Sequence, residues 1–238
     1  MWIFEVKNPT NTVHQPVMKN EVVYYLRACQ GGEFLDCTLG GGGHTRAILE
    51  ANSANRVLAA DRDQQALDRA EGWAGGFKGR LELVRARFSE LGRKIGGRKF
   101  NGVLADLGVS SDQLQEHRGF SFNDDCALDM RMEPSAPKSA YEIVNHAGPK
   151  ELYAILRRGG VGPEARVVVS ALIAARPIHT TARLAQVVRG AVTGRGSPKR
   201  IDPATLTFQA IRIAVNDELE ELEALLDLAP KIVCHQGR

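Results

Sequence analysis

Apolar positions in the first half of the chain fall into short runs separated by segments of helical period. Phe34-Leu35 leads into Asp36, Val57-Leu58-Ala59-Ala60 into Asp61, Leu81-Glu82-Leu83-Val84 forms a third run, and 100–106 a fourth that again ends in a carboxylate, Asp106. Between them, 14–27 (Val22, Val23, Leu26), the segment opened by Ala47-Ile48-Leu49, 63–70 and 88–95 carry apolar residues at helical spacing. Strands alternating with helices in this way predict an α/β fold, Rossmann-like, with a parallel-type sheet and ligands at the carboxyl ends of the strands.

The alternation stops at Ser111. From there to about Arg200 the pattern is a loop followed by helices. Ser139-Ala140-Tyr141-Glu142 reads as a capping box, Pro149 and Pro163 suit first helical positions, and Pro177 ends the run 164–176. A last long helix is predicted from Asp202-Pro203 through Val215 and Leu219 to Leu228, returning the chain to the sheet. The division expected is an α/β domain at 1–113 and 203–238, with a helical insertion at 114–202.

The first apolar run ends in Gly40-Gly41-Gly42-Gly43, and a helix follows at once. Strand, glycine turn and helix form a nucleotide-binding first turn: glycine permits positive φ and close ligand approach, and free N–H groups at the helix start offer donors. Asp61 follows Gly43 by 18 positions, near the offset of about 20 at which a carboxylate meets a ribose diol. The third glycine of G-x-G-x-x-G is replaced by Thr45 or Arg46, depending on the frame. That favours S-adenosylmethionine, an adenosine without phosphate, over a nicotinamide dinucleotide; glycines serving only as a loop are the plain alternative.

With 238 residues, 43% hydrophobic and 25% charged, the chain has enough apolar surface for a full core. Its four cysteines (Cys29, Cys37, Cys126, Cys234) form no C-x-x-C pair and lack histidines at zinc spacing, so reduced thiols and no metal are expected. The first residues show no signal pattern, and the longest apolar stretch, 167–175, is interrupted by Ser170 and too short to span a bilayer. A soluble, cytoplasmic protein without membrane contact is the expectation. Net charge is only +3, yet 165–201 holds no acid and seven cations: Arg166, Arg176, Arg183, Arg189, Arg195, Lys199 and Arg200. That stretch predicts a footprint for a polyanion, a solvated face being the alternative.

Seven blocks then resemble one family. They are His14-x-Pro16-Val17-Met18, Asp36-x-Thr38-Leu39-Gly40-x-Gly42-Gly43-His44, Asp61-Arg62-Asp63, Asp106-Leu107-Gly108-Val109-Ser110-Ser111-x-Gln113-Leu114, Arg118-Gly119-Phe120-Ser121-Phe122, Leu128-Asp129-Met130-Arg131-Met132 and Thr207-Phe208-Gln209-Ala210-Ile211-Arg212. In that order, over His14 to about Leu219, they are similar to the bacterial-type S-adenosylmethionine-dependent cytosine-N4 methyltransferases of small-subunit (16S) ribosomal RNA. The resemblance implies a class I methyltransferase acting on the small ribosomal subunit. It places cofactor contacts on Gly42, Gly43, His44, Asp61, Phe88, Asp106 and Gln113, and assigns RNA to the helical insertion.

The chemistry that would be required is consistent with those residues. The exocyclic amine of cytosine is a poor nucleophile, so an enzyme must accept its N–H and align it for attack. Asp106, at the end of the fourth run, is the expected catalytic acceptor; contact with the cofactor's amino-acid moiety is an equal alternative, and capping a turn another. Many base-amine methyltransferases carry acid-Pro-Pro-aromatic here, whereas this chain has Asp106-Leu107-Gly108-Val109. Stacking is therefore expected from Phe120 and Phe122, beside Arg118 and Arg131, with a core role for the rings as the alternative. Arg189, Arg195, Lys199 and Arg200 complete the expected RNA contacts, and His44 is read as a turn residue near the cofactor.

The chain departs from the family pattern at Leu206 (usually arginine), at Cys126 (usually glycine) and at Gly159-Gly160-Val161-Gly162, where a more regular helix junction is usual. After Leu228-Ala229-Pro230 the family continues through a fifth strand and a Ser-Phe-His-Ser-Leu-Glu-Asp-Arg block. Here only Ile232-Val233-Cys234 are left to act as that strand, so the last strands are expected to be missing. An open edge along 100–106 would invite self-association, a homodimer included. Two rival readings follow: a non-catalytic remnant that binds cofactor or RNA, and a dinucleotide oxidoreductase.

Overall fold

The computed structural model describes residues 16–193 and 202–238. Four strands, β1 (Glu33–Asp36), β2 (Arg56–Asp61), β3 (Leu81–Arg85) and β4 (Gly102–Leu104), pair in parallel in the order β3-β2-β1-β4. The helix α1 (Lys19–Tyr25) precedes β1, and α2 (Gly43–Ala51), α3 (Gln64–Ala74) and α4 (Phe88–Lys94) connect the strands. Strand order reverses at β1, where the chain goes outward to β3 and then returns to the other side with β4. In open α/β sheets the ligand crevice lies at such a switch point.

Both faces of the sheet are covered, which is why its strands read as continuous apolar runs. Phe34, Val57 and Ala59 face Leu26, Ile48, Leu49 and Leu67 on one side. Leu35, Leu58 and Ala60 face Leu91, Ile95, Phe100 and Leu225 on the other. This is the period of two expected along a strand.

Beyond β4 the chain forms a short helix, α5 (Ser111–Gln115), and then α6 (Ala140–His146), α7 (Pro149–Arg158), α8 (Ala165–Ala174), α9 (Thr181–Val192), α10 (Pro203–Val215) and α11 (Glu218–Ile232). Their boundaries follow the sequence signals. Ser139, Thr180 and Asp202 cap α6, α9 and α10 by accepting backbone N–H bonds, and Pro149 opens α7. Pro163 lies just before Glu164, the cap of α8, instead of inside its first turn. Leu152, Leu156, Val168, Leu172, Leu184 and Val188 form one apolar core with Ala204, Phe208, Ile211 and Val215 of α10. At the junction expected to be irregular, Gly159 lets α7 end directly on α10: a Cβ there would lie 2.2 Å from the Cβ of Ala210.

Three expectations change. The single last helix is two, α10 and α11: Asn216 closes α10, its Nδ2 donating to the Arg212 and Met130 carbonyls and its Oδ1 accepting from Met132 N–H, and Asp217 takes a positive φ of 49°. By packing, α10 lies with the helical core while Leu225 and Ile232 of α11 cover the sheet. The fourth strand is shorter than 100–106, and its outer edge is better covered than three residues would allow. Phe100 bridges Val233, Cys234 donates to Phe100, Arg238 donates to Asn101, and Val103 donates to Arg238. Among the described residues no helix is long and apolar enough to cross a membrane.

Candidate functional site

The carboxyl ends of β1, β2 and β4 open into one cavity of 720 Å³. Its wall includes Thr38, Gly40, Gly43, His44, Asp61, Arg62, Phe88, Asp106, Leu107 and Gln113, and its far side is formed by Ile213, Glu218, Leu219, Glu221 and Leu222 from the break between α10 and α11. The sequence therefore located the floor of this cavity but not its far wall, which exists only because the last helix breaks.

The glycine turn is built as its composition requires. Gly42 has φ +74°, and a Cβ on it would lie 2.2 Å from the Trp73 ring, so conformation and space both select glycine. Asp61 holds the turn from below: its carboxylate accepts the Gly40 N–H at 2.9 Å and the Asp63 N–H at 2.9 Å. Burial nonetheless raises the Asp61 carboxyl above its usual value, against the lowering effect of those two bonds.

Asp36 is wholly buried one residue before Cys37 and was not singled out as a site residue, although it ends an apolar run just as Asp61 and Asp106 do. It accepts from the Thr45 hydroxyl at 2.6 Å and from the Thr38 N–H at 3.0 Å. Burial pushes its carboxyl up, the Thr45 and Thr38 bonds opposing. His44 is the second residue of α2, its side chain 8% exposed, with Nε2 3.7 Å from Oδ2 of Asp106 and a buried Nδ1 that has no partner among the described residues. Asp106 itself points outward, its side chain 55% exposed.

Gln113 lines the cavity, but its amide is already engaged. Its Oε1 accepts from Ser110 N–H at 3.0 Å and its Nε2 donates to Asp63 at 3.2 Å. Phe88 opens α4 at the cavity wall. Of the seven residues expected to meet the cofactor, Gly43, His44, Asp61, Phe88, Asp106 and Gln113 line this one space, and Gly42 shapes the turn behind it.

The residues expected to meet RNA have other occupations. Arg118, only 12% exposed, pairs with Asp63 at 2.5 Å and with Glu116 at 2.6 Å and donates to the carbonyls of Arg131 and Met132. It ties the end of β2 to the start of the helical body. Arg131 is paired with Asp129 at 2.6 Å. Phe120 and Phe122, both half-buried, pack against the helical core, Phe122 edge-on to Phe208 with centroids 5.1 Å apart. Arg189 lies over Phe122 and pairs with Asp202 at 2.8 Å. Arg195, Lys199 and Arg200 lie outside the described residues.

The ionic character of the lining selects among ligands. Asp61, Asp106, Asp112, Glu218 and Glu221 face Arg46, Arg62 and Arg87. Of these cations, Arg87 is held by Glu133 at 2.7 Å and Arg46 lies over Trp73. Arg62 is half-buried, its partial desolvation lowers its pKa from the usual arginine value, and it donates to the Asn216 carbonyl. The lining thus carries more carboxylates than cations, a balance that favours positive charge in the crevice.

A Rossmann-like sheet, a glycine turn without the full dinucleotide fingerprint, and a carboxylate-rich crevice at the switch point define a class I methyltransferase architecture. Residues 11–238 match the MraW methylase family, and the chain belongs to that family. It is similar to proteins named Ribosomal RNA small subunit methyltransferase H. The one from Cyanothece sp. is 44% identical over 227 residues, covering 95% of this chain and 76% of the relative. The one from Methylobacterium nodulans is 48% identical over 234 residues, covering 94% and 68%. A third, from Granulibacter bethesdensis, is 43% identical over 232 residues, covering 94% and 69%.

Proposed function

We propose that this chain methylates N4 of a cytidine in small-subunit (16S) ribosomal RNA, using S-adenosylmethionine. The observation that carries the reading is that Asp61, at the end of β2, and Asp106, two residues beyond β4, open on the same cavity beside the glycine turn. Family membership and the relatives' names point the same way. When bound, S-adenosylmethionine supplies an electrophilic methyl group on a cationic sulfonium. The residues present suit it: Asp61 has lone pairs left for a ribose diol, the first N–H groups of α2 at Gly43 and His44 are free for a carboxylate, and the unpartnered Nδ1 of His44 is a polar atom awaiting a ligand. Phe88 and Gln113 complete the wall.

Asp106 accepts the N–H of the target amine and takes up its proton as the nitrogen becomes cationic. Phe120 and Phe122 are half-buried against the helical core and do not line the cavity, so the base meets exposed Val17 and Leu107, both on the cavity. The helical body is the RNA-recognising part, and Arg195, Lys199 and Arg200 are its phosphate contacts.

Undermethylated small subunits incubated with methyl-labelled S-adenosylmethionine and this chain should yield N4-methylcytidine on mass analysis of the nucleosides. A methyl group on a ring carbon, or none, overturns the proposal. Replacing Arg195, Lys199 and Arg200 by glutamine should flatten the salt dependence of RNA binding by about 0.7 in slope per lost contact. An unchanged slope removes them from the interface.

A further inference from the structure

The carboxylate assigned to the target amine sits beyond the point where the sheet can hold it. The β1–β4 ladder ends with Asp36 opposite Leu104, and one more bond, Cys37 N–H to the Leu104 carbonyl at 2.8 Å, closes it. Asp106 comes two residues later, followed by Leu107, which is 55% exposed, and by Gly108, which has φ +116°. Such a segment would wander unless something outside the ladder fixed it.

The Thr38 hydroxyl is that fixture. Its oxygen accepts the Asp106 N–H at 2.7 Å, while its own proton points to Asp36 Oδ1 at 3.4 Å. Asp36 is 0% exposed and is locked in turn by the Thr45 hydroxyl at 2.6 Å and the Thr38 N–H at 3.0 Å. A hydroxyl is the one small side chain that can donate to a buried carboxylate and accept a backbone N–H at once. The result is a side-chain continuation of the sheet, from a buried strand end to the first amide that needs holding.

We propose that Thr38 is the positioning residue for Asp106, its hydroxyl, oriented by Asp36, setting where the Asp106 carboxylate meets the amine to be methylated. This rests on the reading of the site as an amine methyltransferase. The Thr38 side chain acts through the Asp106 amide and touches no reacting atom. Displacing a reacting group by about 1 Å costs on the order of a hundredfold in rate, so loss of this one bond should show in turnover more than in affinity.

The test compares Thr38→Val, which keeps the shape without the hydroxyl, with Thr38→Ser, which keeps the hydroxyl. The first readout needs no cofactor: amide hydrogen exchange at Asp106 in the full chain should quicken about tenfold or more in Thr38→Val and stay near the parent rate in Thr38→Ser. The second is methyl transfer to undermethylated small subunits. There kcat should fall about tenfold to a hundredfold in Thr38→Val and recover in Thr38→Ser, with the S-adenosylmethionine dissociation constant from calorimetry unchanged in both. Parent-like exchange or parent-like kcat in Thr38→Val overturns the proposal. Equal losses in both variants with weakened S-adenosylmethionine binding also overturn it, since they make Thr38 a cofactor contact. Failure of the parent chain to methylate the subunits defeats the functional reading and the catalytic role of Thr38 together, while the exchange readout still reports whether the hydroxyl holds Asp106.

Discussion

Among the described residues, buried polar side chains of the helical core have their partners. Arg176 donates to the carbonyls of Val144 and Ala147, and Asn145 bonds Ile178 through both its Oδ1 and its Nδ2. In the sheet body, by contrast, buried Asp36 and half-buried Asp61 are held by hydroxyls and amides, with no ion pair to either among the described residues. Among the described residues, the buried side-chain atoms without partners, His44 Nδ1, Asn55 Oδ1, Arg62 Nε and Arg118 Nε, lie in the sheet body or on its seam. Carboxyls raised by burial are a standing cost at neutral pH: their folded-state pKa lies above the unfolded one, so the favourable contribution is full in acid and is lost as pH rises through the folded value. The helical body is thus built for cohesion, and the strand ends tolerate strain where a ligand arrives.

That division can be broken at its strongest point first. Asp106→Asn keeps shape and removes the charge that accepts the amine proton. Turnover should fall by about 10² to 10⁴ with S-adenosylmethionine affinity kept, and equal losses in single-turnover rate and calorimetric affinity would reassign Asp106 to the cofactor. Leu156→Ala, at a wholly buried position in the helical core, should lower unfolding free energy in urea by about 2–5 kcal/mol. If the comparison holds, S-adenosylmethionine affinity measured below the transition hardly moves; a parallel loss of affinity would mean the two bodies are not separable in this way.

Asp61→Ala removes a ribose acceptor and also the anchor of the Gly40 N–H. The S-adenosylmethionine dissociation constant should rise about tenfold or more, and a value equal to the parent's would move the ribose elsewhere. The smallest effect is expected on the helical surface. Arg189→Ala breaks a half-exposed pair with Asp202 and should cost about 0–1 kcal/mol. Arg189 holds the Asp202 carboxyl below its ordinary value, so this contribution is present above the usual carboxylate range and lost as pH falls through the depressed value. The melting difference between parent and variant should therefore close in strong acid; a gap that persists there would place the role of Arg189 in its stacking on Phe122.

Much of the sheet body could be read from the chain because its signals are local. Gly42 is dictated by a positive φ, and Asp36 and Asp61 end parallel strands, so their arrival at one edge follows from the strands alone, whereas Asp106 lies two residues beyond β4. The helical insertion was readable as helices, through Ser139, Pro149 and Thr180, but the roles of its charged and aromatic residues were not. Arg118 and Phe122 look like RNA contacts in a list of residue types. Whether a cation is free depends on a carboxylate 55 positions away, as Asp63 is from Arg118.

By itself the sequence determined the order of strands and helices, the glycine turn and the carboxylates at the strand ends, since each rests on neighbours a few residues apart. Tertiary structure alone decided the break after Asn216, where the side chain that closes α10 is also held by Met130 and Met132. It also decided the cavity wall that this break creates and the hold of Thr38 on Asp106 across 68 positions. Those outcomes depend on which donors and acceptors the fold brings within about 3 Å of one another, a distance that no periodicity along the chain encodes.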